Sequence, residues 1–294
     1  MSKIVCFGEV LFDVFPTHEK IGGAPLNVAN RLSAFQHKVS MISAVGNDDY
    51  GHRIITYLKK HQIDTSCIQL LETFETGKVK VALDQNGSAS YTIKHPSAWD
   101  HISMTETSVT QVQNADAFVF GSLVARDATS RHTLYELLEV ANYKVFDLNL
   151  RPPHYDSTVL KQLMKKADFI KCNDEELFEV CKTMGLDNPS LVENVSFLAN
   201  QTHTNHLCVT RGKDGALLWY EGKLYENKGY PVEVKDTVGA GDSFLGALIS
   251  ELLIHQDPEK ALDFASAIGA LVAKSEGANP VLKTSDIETM MHSK

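Results

Sequence analysis

Asp236-Thr237-Val238-Gly239-Ala240-Gly241-Asp242-Ser243-Phe244 runs directly into the apolar stretch from Leu245 to Ile254. Small residues let a backbone turn tightly, and the apolar run predicts a buried helix, so the amides of residues 239 to 242 point outward at its N-terminus. Such amides, at the positive end of the helix dipole, make an anion site. A carboxylate at 242 would repel an anion that is merely bound. It makes sense if a phosphoryl group is transferred, because Asp242 can take the proton of an attacking hydroxyl while the amides hold the developing charge. Taken alone, the stretch is more economically an ordinary turn with an Asp that the dipole favours in a first helical turn. A dinucleotide clamp is disfavoured, since Phe244 stands where Gly-x-Gly-x-x-Gly needs its third glycine, and no Gly-x-x-x-x-Gly-Lys-Ser/Thr run occurs anywhere.

Working outward, strand and helix patterns alternate through much of the 294 residues, which predicts an α/β fold with a central, mostly parallel sheet, built as one domain over 1–294. Apolar runs at Ile4 to Phe7, Val39 to Val45, Ala117 to Phe120, Lys144 to Asp147, Asp168 to Lys171 and His206 to Thr210 read as strands. Helices are expected over Tyr50 to Lys60, Ser130 to Val140, Thr158 to Lys166 and Pro258 to Lys274. Between Thr76 and Ile93 the pattern changes to polar-apolar alternation around Gln85-Asn86-Gly87, an antiparallel hairpin that could cover a site. Asp13 interrupts an apolar run and lies either on the wet face of an edge strand or in a site. Gly22-Gly23-Ala24-Pro25-Leu26-Asn27 opens another helix; the glycines permit close approach of a ligand, and Asn27 falls in the first turn. The acids after Asn173 read as a helix N-cap followed by acids on the dipole.

A net charge of -9 argues against nucleic acid or an anionic membrane as the main partner. The five cysteines are scattered, without Cys-x-x-Cys spacing, as expected of reduced thiols, and no signal-peptide pattern follows Met1, so a cytoplasmic protein is expected. The histidines in His95 to His101 and His203 to His206 lack a third well-spaced partner, so no transition-metal site is expected.

In this order, the pieces resemble the ribokinase (PfkB) family of sugar kinases over essentially the whole chain. Two motifs carry the resemblance: Gly-Gly-x-x-x-Asn at Gly22 to Asn27, and Asp-Thr-x-Gly-Ala-Gly-Asp at Asp236 to Asp242. Their joint occurrence is far more specific than either alone. The resemblance implies a ribokinase-like α/β sheet flanked by helices, with a small β lid from strands at about 10–20 and 76–94. It makes Asp242 the catalytic base and Gly239, Ala240 and Gly241 the anion hole. Asp13, Gly23, Asn27 and Arg151 would bind the sugar, Arg151 through an Asp-x-Asn-x-Arg segment in which Leu148 replaces the usual Pro. Asn173 and Glu176 match an Asn-x-x-Glu motif that orders phosphate and, through water at Glu176, Mg²⁺. Thr210, Gly212, Lys213 and Gly215 match the loop along the nucleotide, and Asp236 with the Val238 carbonyl match a monovalent-cation position, for K⁺.

Gly-Gly-Ala-Pro-x-Asn-Val-Ala, Asn-Leu-Arg-Pro-Pro and Ala-Trp-Asp are similar to the fructokinase branch rather than to ribokinase, whose sugar loop generally carries Lys where Ala24 stands. The implied reaction is transfer of the ATP γ-phosphoryl to a primary hydroxyl, O6 of fructose, with Asp242 as an ordinary carboxylate of pKa about 4. Ribose, 2-keto-3-deoxygluconate or a nucleoside are the alternative acceptors, and a non-catalytic sugar or nucleotide sensor is the alternative from another class. The expected partners are thus a small-molecule sugar and ATP; a homodimer is compatible with the chain.

Overall fold

The computed structural model describes residues 1–83 and 89–293, so the turn expected at Gln85-Asn86-Gly87 lies outside the described residues. In chain order the strands are β1 (Lys3–Phe7), β2 (Leu11–Val14), β3 (Glu19–Gly22), β4 (Lys38–Gly46), β5 (Asp64–Leu71), β6 (Gly77–Leu83), β7 (Ala89–Ile93), β8 (Ala117–Gly121), β9 (Lys144–Asp147), β10 (Phe169–Asn173), β11 (His206–Thr210), β12 (Ala216–Tyr220) and β13 (Lys223–Asn227). The helices are α1 (Ala24–Ala34), α2 (Asp49–Lys60), α3 (Glu106–Gln113), α4 (Ala128–Leu138), α5 (Ser157–Lys166), α6 (Asp174–Thr183), α7 (Leu191–Thr202), α8 (Ala240–His255), α9 (Pro258–Ala273) and α10 (Thr284–Met291).

Among the described residues the large sheet has the order β13-β12-β11-β10-β9-β8-β1-β4-β5. From β11 to β5 every pairing is parallel; β12 and β13 close the edge antiparallel. Parallel strands covered on both faces must be apolar throughout, which is why β8 is buried at all its positions. One face carries Phe7, Phe118, Phe120 and Phe146 against α3 to α7. The other carries Ile4, Cys6, Met41 and Val145 against α1, α2, α8 and α9. Helix α8 is apolar nearly all round because it lies between α1 and α9. Arg31, buried within α1, ties this layer together: its Nε donates to Ser243 Oγ at 3.3 Å and its Nη2 to the Pro280 carbonyl at 3.2 Å.

The second sheet, β3-β2-β6-β7, is the lid. Its β2 pairs antiparallel with β3 and parallel with β6, so Asp13 sits on an interior strand rather than an edge. The lid is anchored below β7 by Trp99 and Asp100, both fully buried. Arg126 donates to both Asp100 oxygens at 2.7 Å and lies over the Trp99 ring at 4.0 Å. The Ala-Trp-Asp segment is thus a buried support held by Arg126 in this structure. No helix among the described residues is long and apolar enough to cross a membrane.

Candidate active site

Two helix N-termini and the root of the lid converge over the C-terminal ends of the central strands, where ligands bind in open α/β sheets. Helix α8 starts at Gly239, whose φ of 76° is left-handed and whose end has no side-chain cap. A Cβ there would meet Ala278 Cβ at 2.5 Å, so only glycine fits. Among the described residues the amides of Gly241 and Asp242 find no acceptor within the protein. Those two donors lie at the positive end of the helix, where the sequence reading expected an anion site over residues 239 to 242, and of that set the Ala240 amide is already held by the Thr237 carbonyl at 3.3 Å.

Asp242 lies in the first turn of that helix. Asn27 Nδ2, from α1, donates to its Oδ2 at 2.8 Å, and Asn27 Oδ1 in turn accepts from Asn279 Nδ2 at 2.8 Å. An amide that both donates and accepts cannot turn over without losing both bonds, so the relay fixes the carboxylate. Burial, reinforced by the charge of Asp147, pushes the Asp242 pKa up to about 6, against the opposing pull of Lys171, Asn27 and Arg151. This corrects the ordinary carboxylate of the sequence expectation: the group is still ionised at neutral pH, yet a better proton acceptor.

Asp13 stands at the lid's root with its pKa pushed to about 6 by burial, while Lys20 and Arg151 draw it down. Of the paired glycines, Gly23 is required by the backbone and Gly22 makes room for the Asp13 carboxylate. A Cβ on Gly22 would sit 2.8 Å from Asp13 Oδ2, and one on Gly23, at φ 114°, 2.4 Å from the Glu9 carbonyl. Arg151 is exposed and donates to the carbonyl of Leu150 at 2.9 Å; its charge reaches Glu9, Asp13 and Asp242. Asp13, Gly23, Asn27, Arg151 and Asp242 are therefore brought together.

On the far side, Asn173 caps α6: its Oδ1 accepts the Glu176 amide at 2.8 Å, and Glu176 Oε2 accepts the Asn173 amide at 2.9 Å. Glu176 Oε1 also accepts the Leu150 amide at 2.8 Å, which links this helix to the Arg151 loop. Burial raises the Glu176 pKa. Thr210 ends β11 beside Cys172, and the turn that follows carries Gly212 at φ 56° and Gly215 at φ 83°, where a Cβ would overlap the Asn227 carbonyl at 2.0 Å. Lys213 is exposed on that turn. Asp236 accepts the amides of Val238 at 3.0 Å and Gly277 at 3.1 Å, with Lys20 Nζ 3.8 Å away. Its carboxylate shapes the approach to α8.

Four residues of the site received no role of their own from the sequence: Glu9, Asp147 (present there only as the first residue of the Asp-x-Asn-x-Arg segment), Lys171 and Asn279. Glu9 is buried, its Oε2 has no partner among the described residues, and burial moves its pKa to about 7. Lys171 and Asp147 form a buried pair at 3.0 Å. A charge inside or ending an apolar strand was the available signal for the first three; Asn279 carried none.

A family model described as "pfkB family carbohydrate kinase" matches residues 1–285. The chain belongs to the pfkB family of carbohydrate kinases. It is 30% identical over 98% of its length to "Probable fructokinase-3" of Arabidopsis thaliana, covering 90% of that protein. Fructokinase with bound ATP from Xylella fastidiosa superposes with a TM-score of 0.88 at 25% identity, covering 99% of each chain. A double mutant of Vibrio cholerae O395 fructokinase, solved with fructose, ADP and potassium ion bound, gives 0.85 at 25% identity, covering 99% of this chain and 98% of that one. This chain is a sugar kinase, a phosphotransferase built on the ribokinase-like fold with a lid.

Proposed function

We propose that this pfkB-family kinase transfers the γ-phosphoryl of ATP to the 6-hydroxyl of fructose in the cytoplasm, with Asp242 as the base. The observation that carries this reading is a carboxylate fixed by Asn27 at the uncapped N-terminus of α8. Fructose is favoured over ribose, 2-keto-3-deoxygluconate or a nucleoside by the fructokinase names of the relatives and by the sugar bound to the Vibrio cholerae enzyme.

In the proposed cycle the sugar lies at the root of the lid, its hydroxyls held by Asp13, the Gly23 backbone and Asn27, with Arg151 offsetting the surrounding carboxylates. Asp242 orients the attacking hydroxyl and takes its proton late, since a loose transition state builds little charge on the nucleophile. The raised pKa helps at that moment, because the proton then moves to a stronger base. The free amides of Gly241 and Asp242 meet the charge of the moving phosphoryl group. The nucleotide runs along Thr210, Gly212, Lys213 and Gly215, with its phosphates toward Asn173 and Glu176. Closing the lid excludes water that would otherwise hydrolyse ATP.

Among the described residues no group of three or more His, Cys, Asp or Glu is arranged to hold a metal ion, and both Glu176 oxygens already accept backbone amides. That donor set suits Mg²⁺ held through water and substrate phosphates, where it would neutralise phosphate charge. Asp236 and the Val238 carbonyl would hold K⁺ beside the start of α8 and stiffen that loop. The test is ATP consumption across a panel of sugars and nucleosides, with and without K⁺: turnover should be greatest on fructose. Strong turnover on another acceptor with none on fructose would overturn the substrate, and sugar binding without any ATP consumption would overturn the kinase mechanism.

A further inference from the structure

Lysine is among the residues least often buried, because its ammonium loses hydration. Lys171 is nevertheless 6% exposed, in the middle of β10 between Ile170 and Cys172, both fully buried. Its register partner on the neighbouring strand is Asp147, and the two side chains meet at 3.0 Å. Among the described residues this is the one hydrogen bond its Nζ makes, leaving two N–H groups; Asp147 Oδ2 has no partner.

The pair does not lie idle in the core. Nζ sits 3.3 Å from the place where a Cβ on Gly241 would be, directly against the first turn of α8. A glycine inside a helix is otherwise a cost, so the room it leaves is used by the ammonium. Besides Asp147, the carboxylates of Glu176 and Asp242 act on Lys171, and they outweigh burial to keep it protonated. Three acids from three elements thus share one buried cation, with Arg151 the other positive charge acting on Asp242 and exposed Lys20 acting on Asp13. Cys172 and Cys208 also flank it, both neutral thiols pushed up by burial.

We infer that Lys171, anchored by Asp147, is a positioning residue for phosphoryl transfer: its ammonium offsets the charge gathered at Asp242 and Glu176 and seats Gly241, and with it the anion-binding turn. The inference rests on the reading of Asp242 and the α8 N-terminus given above. A buried pair kept only for stability could be replaced by neutral side chains of similar shape at no loss. A pair that sets the field at the reacting carboxylate could not.

The experiment compares Lys171→Met, the double variant Lys171→Met/Asp147→Asn, and Asp242→Asn in the full-length enzyme. The single variant strands a buried carboxylate and is allowed to be unstable; the double variant removes both charges and should recover its melting temperature. The expected result is a folded double variant whose kcat stays at least about 100-fold below wild type. Its sugar KM should lie within a few-fold of wild type, and the acid limb of its kcat/KM profile should move to lower pH, since the Asp147 charge that raises the Asp242 pKa outweighs the Lys171 charge that lowers it. Recovery of kcat to within about threefold, with the acid limb unmoved, would reduce Lys171 to a counter-ion for Asp147 and overturn the inference. If that happens while Asp242→Asn is inactive, only the role of Lys171 falls; near-normal turnover of Asp242→Asn would remove the reading on which both rest.

Discussion

The N-termini of α6 and α8 share the same sequence signal, an acid in the first turn of a helix that follows a strand or loop, and they end in opposite states. At α6, Asn173 and Glu176 satisfy each other's amides, so the dipole is met by the protein's own side chains. At α8, Gly239 has no side chain to cap with, and Asp242 is turned away to Asn27. The first end is closed and stabilises the fold. The second is left open, a cost in stability that leaves donors for a ligand. What separates a structural cap from a site is therefore which amides remain free, and neighbouring helices decide that.

The largest effect expected from breaking this contrast is at Asp242. Asp242→Asn should lower kcat by about 10³-fold with sugar affinity little changed, since it removes a proton acceptor and keeps the shape. The same variant should melt higher than wild type at pH 8, because a carboxylate whose pKa is raised in the folded state opposes folding when ionised. Parallel kinetics and thermal melts check both; a variant that melts lower at pH 8 would show that Asn27 and Lys171 hold the charge more firmly than burial opposes it.

Closing the open end is the next test. Gly239→Ala forces a side chain into φ 76° and against Ala278 at 2.5 Å, so the turn must shift. Turnover should fall about 10²-fold, the scale of a lost oxyanion donor, and stability by about 1–3 kcal/mol, the scale of local backbone strain. Steady-state kinetics with a denaturant titration would separate the two; unchanged turnover would mean the amides are not used.

A pH series sharpens the comparison without mutation. Asp13, Asp242 and Glu9 have pKa values near 6, 6 and 7, all raised first by burial. Losing the base form should reduce kcat/KM about tenfold for each pH unit below about 6, the slope of a single essential ionisation. Stability should move the other way. The folded state takes up protons that the unfolded chain does not, so the penalty these ionised groups place on folding is complete above about pH 7 and is relieved as pH falls from about 7 toward 4. The smallest effect belongs to the closed end: Asn173→Ala should cost about 0.5–2 kcal/mol, read as a drop in melting temperature. If Asn173 also serves the nucleotide, KM for ATP should rise while KM for the sugar stays put.

Much of this was legible in the chain. The alternation of strands and helices, the hairpin between Thr76 and Ile93 and the two glycine-rich turns at Gly22 to Asn27 and Asp236 to Asp242 follow from local patterns, since burial on both faces demands apolar strands and tight turns demand glycine. The lid strands at about 10–20 came from the family resemblance alone. Helices α3, α7 and α10 were not expected. In α3 and α10 few positions are buried, so little apolar periodicity marks them, and α7 hides a buried Asn194 whose Nδ2 caps carbonyls at 188 and 190. Periodicity reports burial, and where burial is slight or polar it falls silent.

The sequence by itself determined which residues could do the chemistry: a carboxylate after Gly-Ala-Gly, glycines that admit a ligand, an amide four positions beyond Gly23. Only the tertiary structure decided how they act. It set Asn27 against Asp242 across 215 positions of chain, Asn279 behind Asn27, and Lys171 under Gly241. Those contacts fix the charge, pKa and free amides of the site, and they arise because distant segments are packed into one low-dielectric space where each ionisable group feels the others.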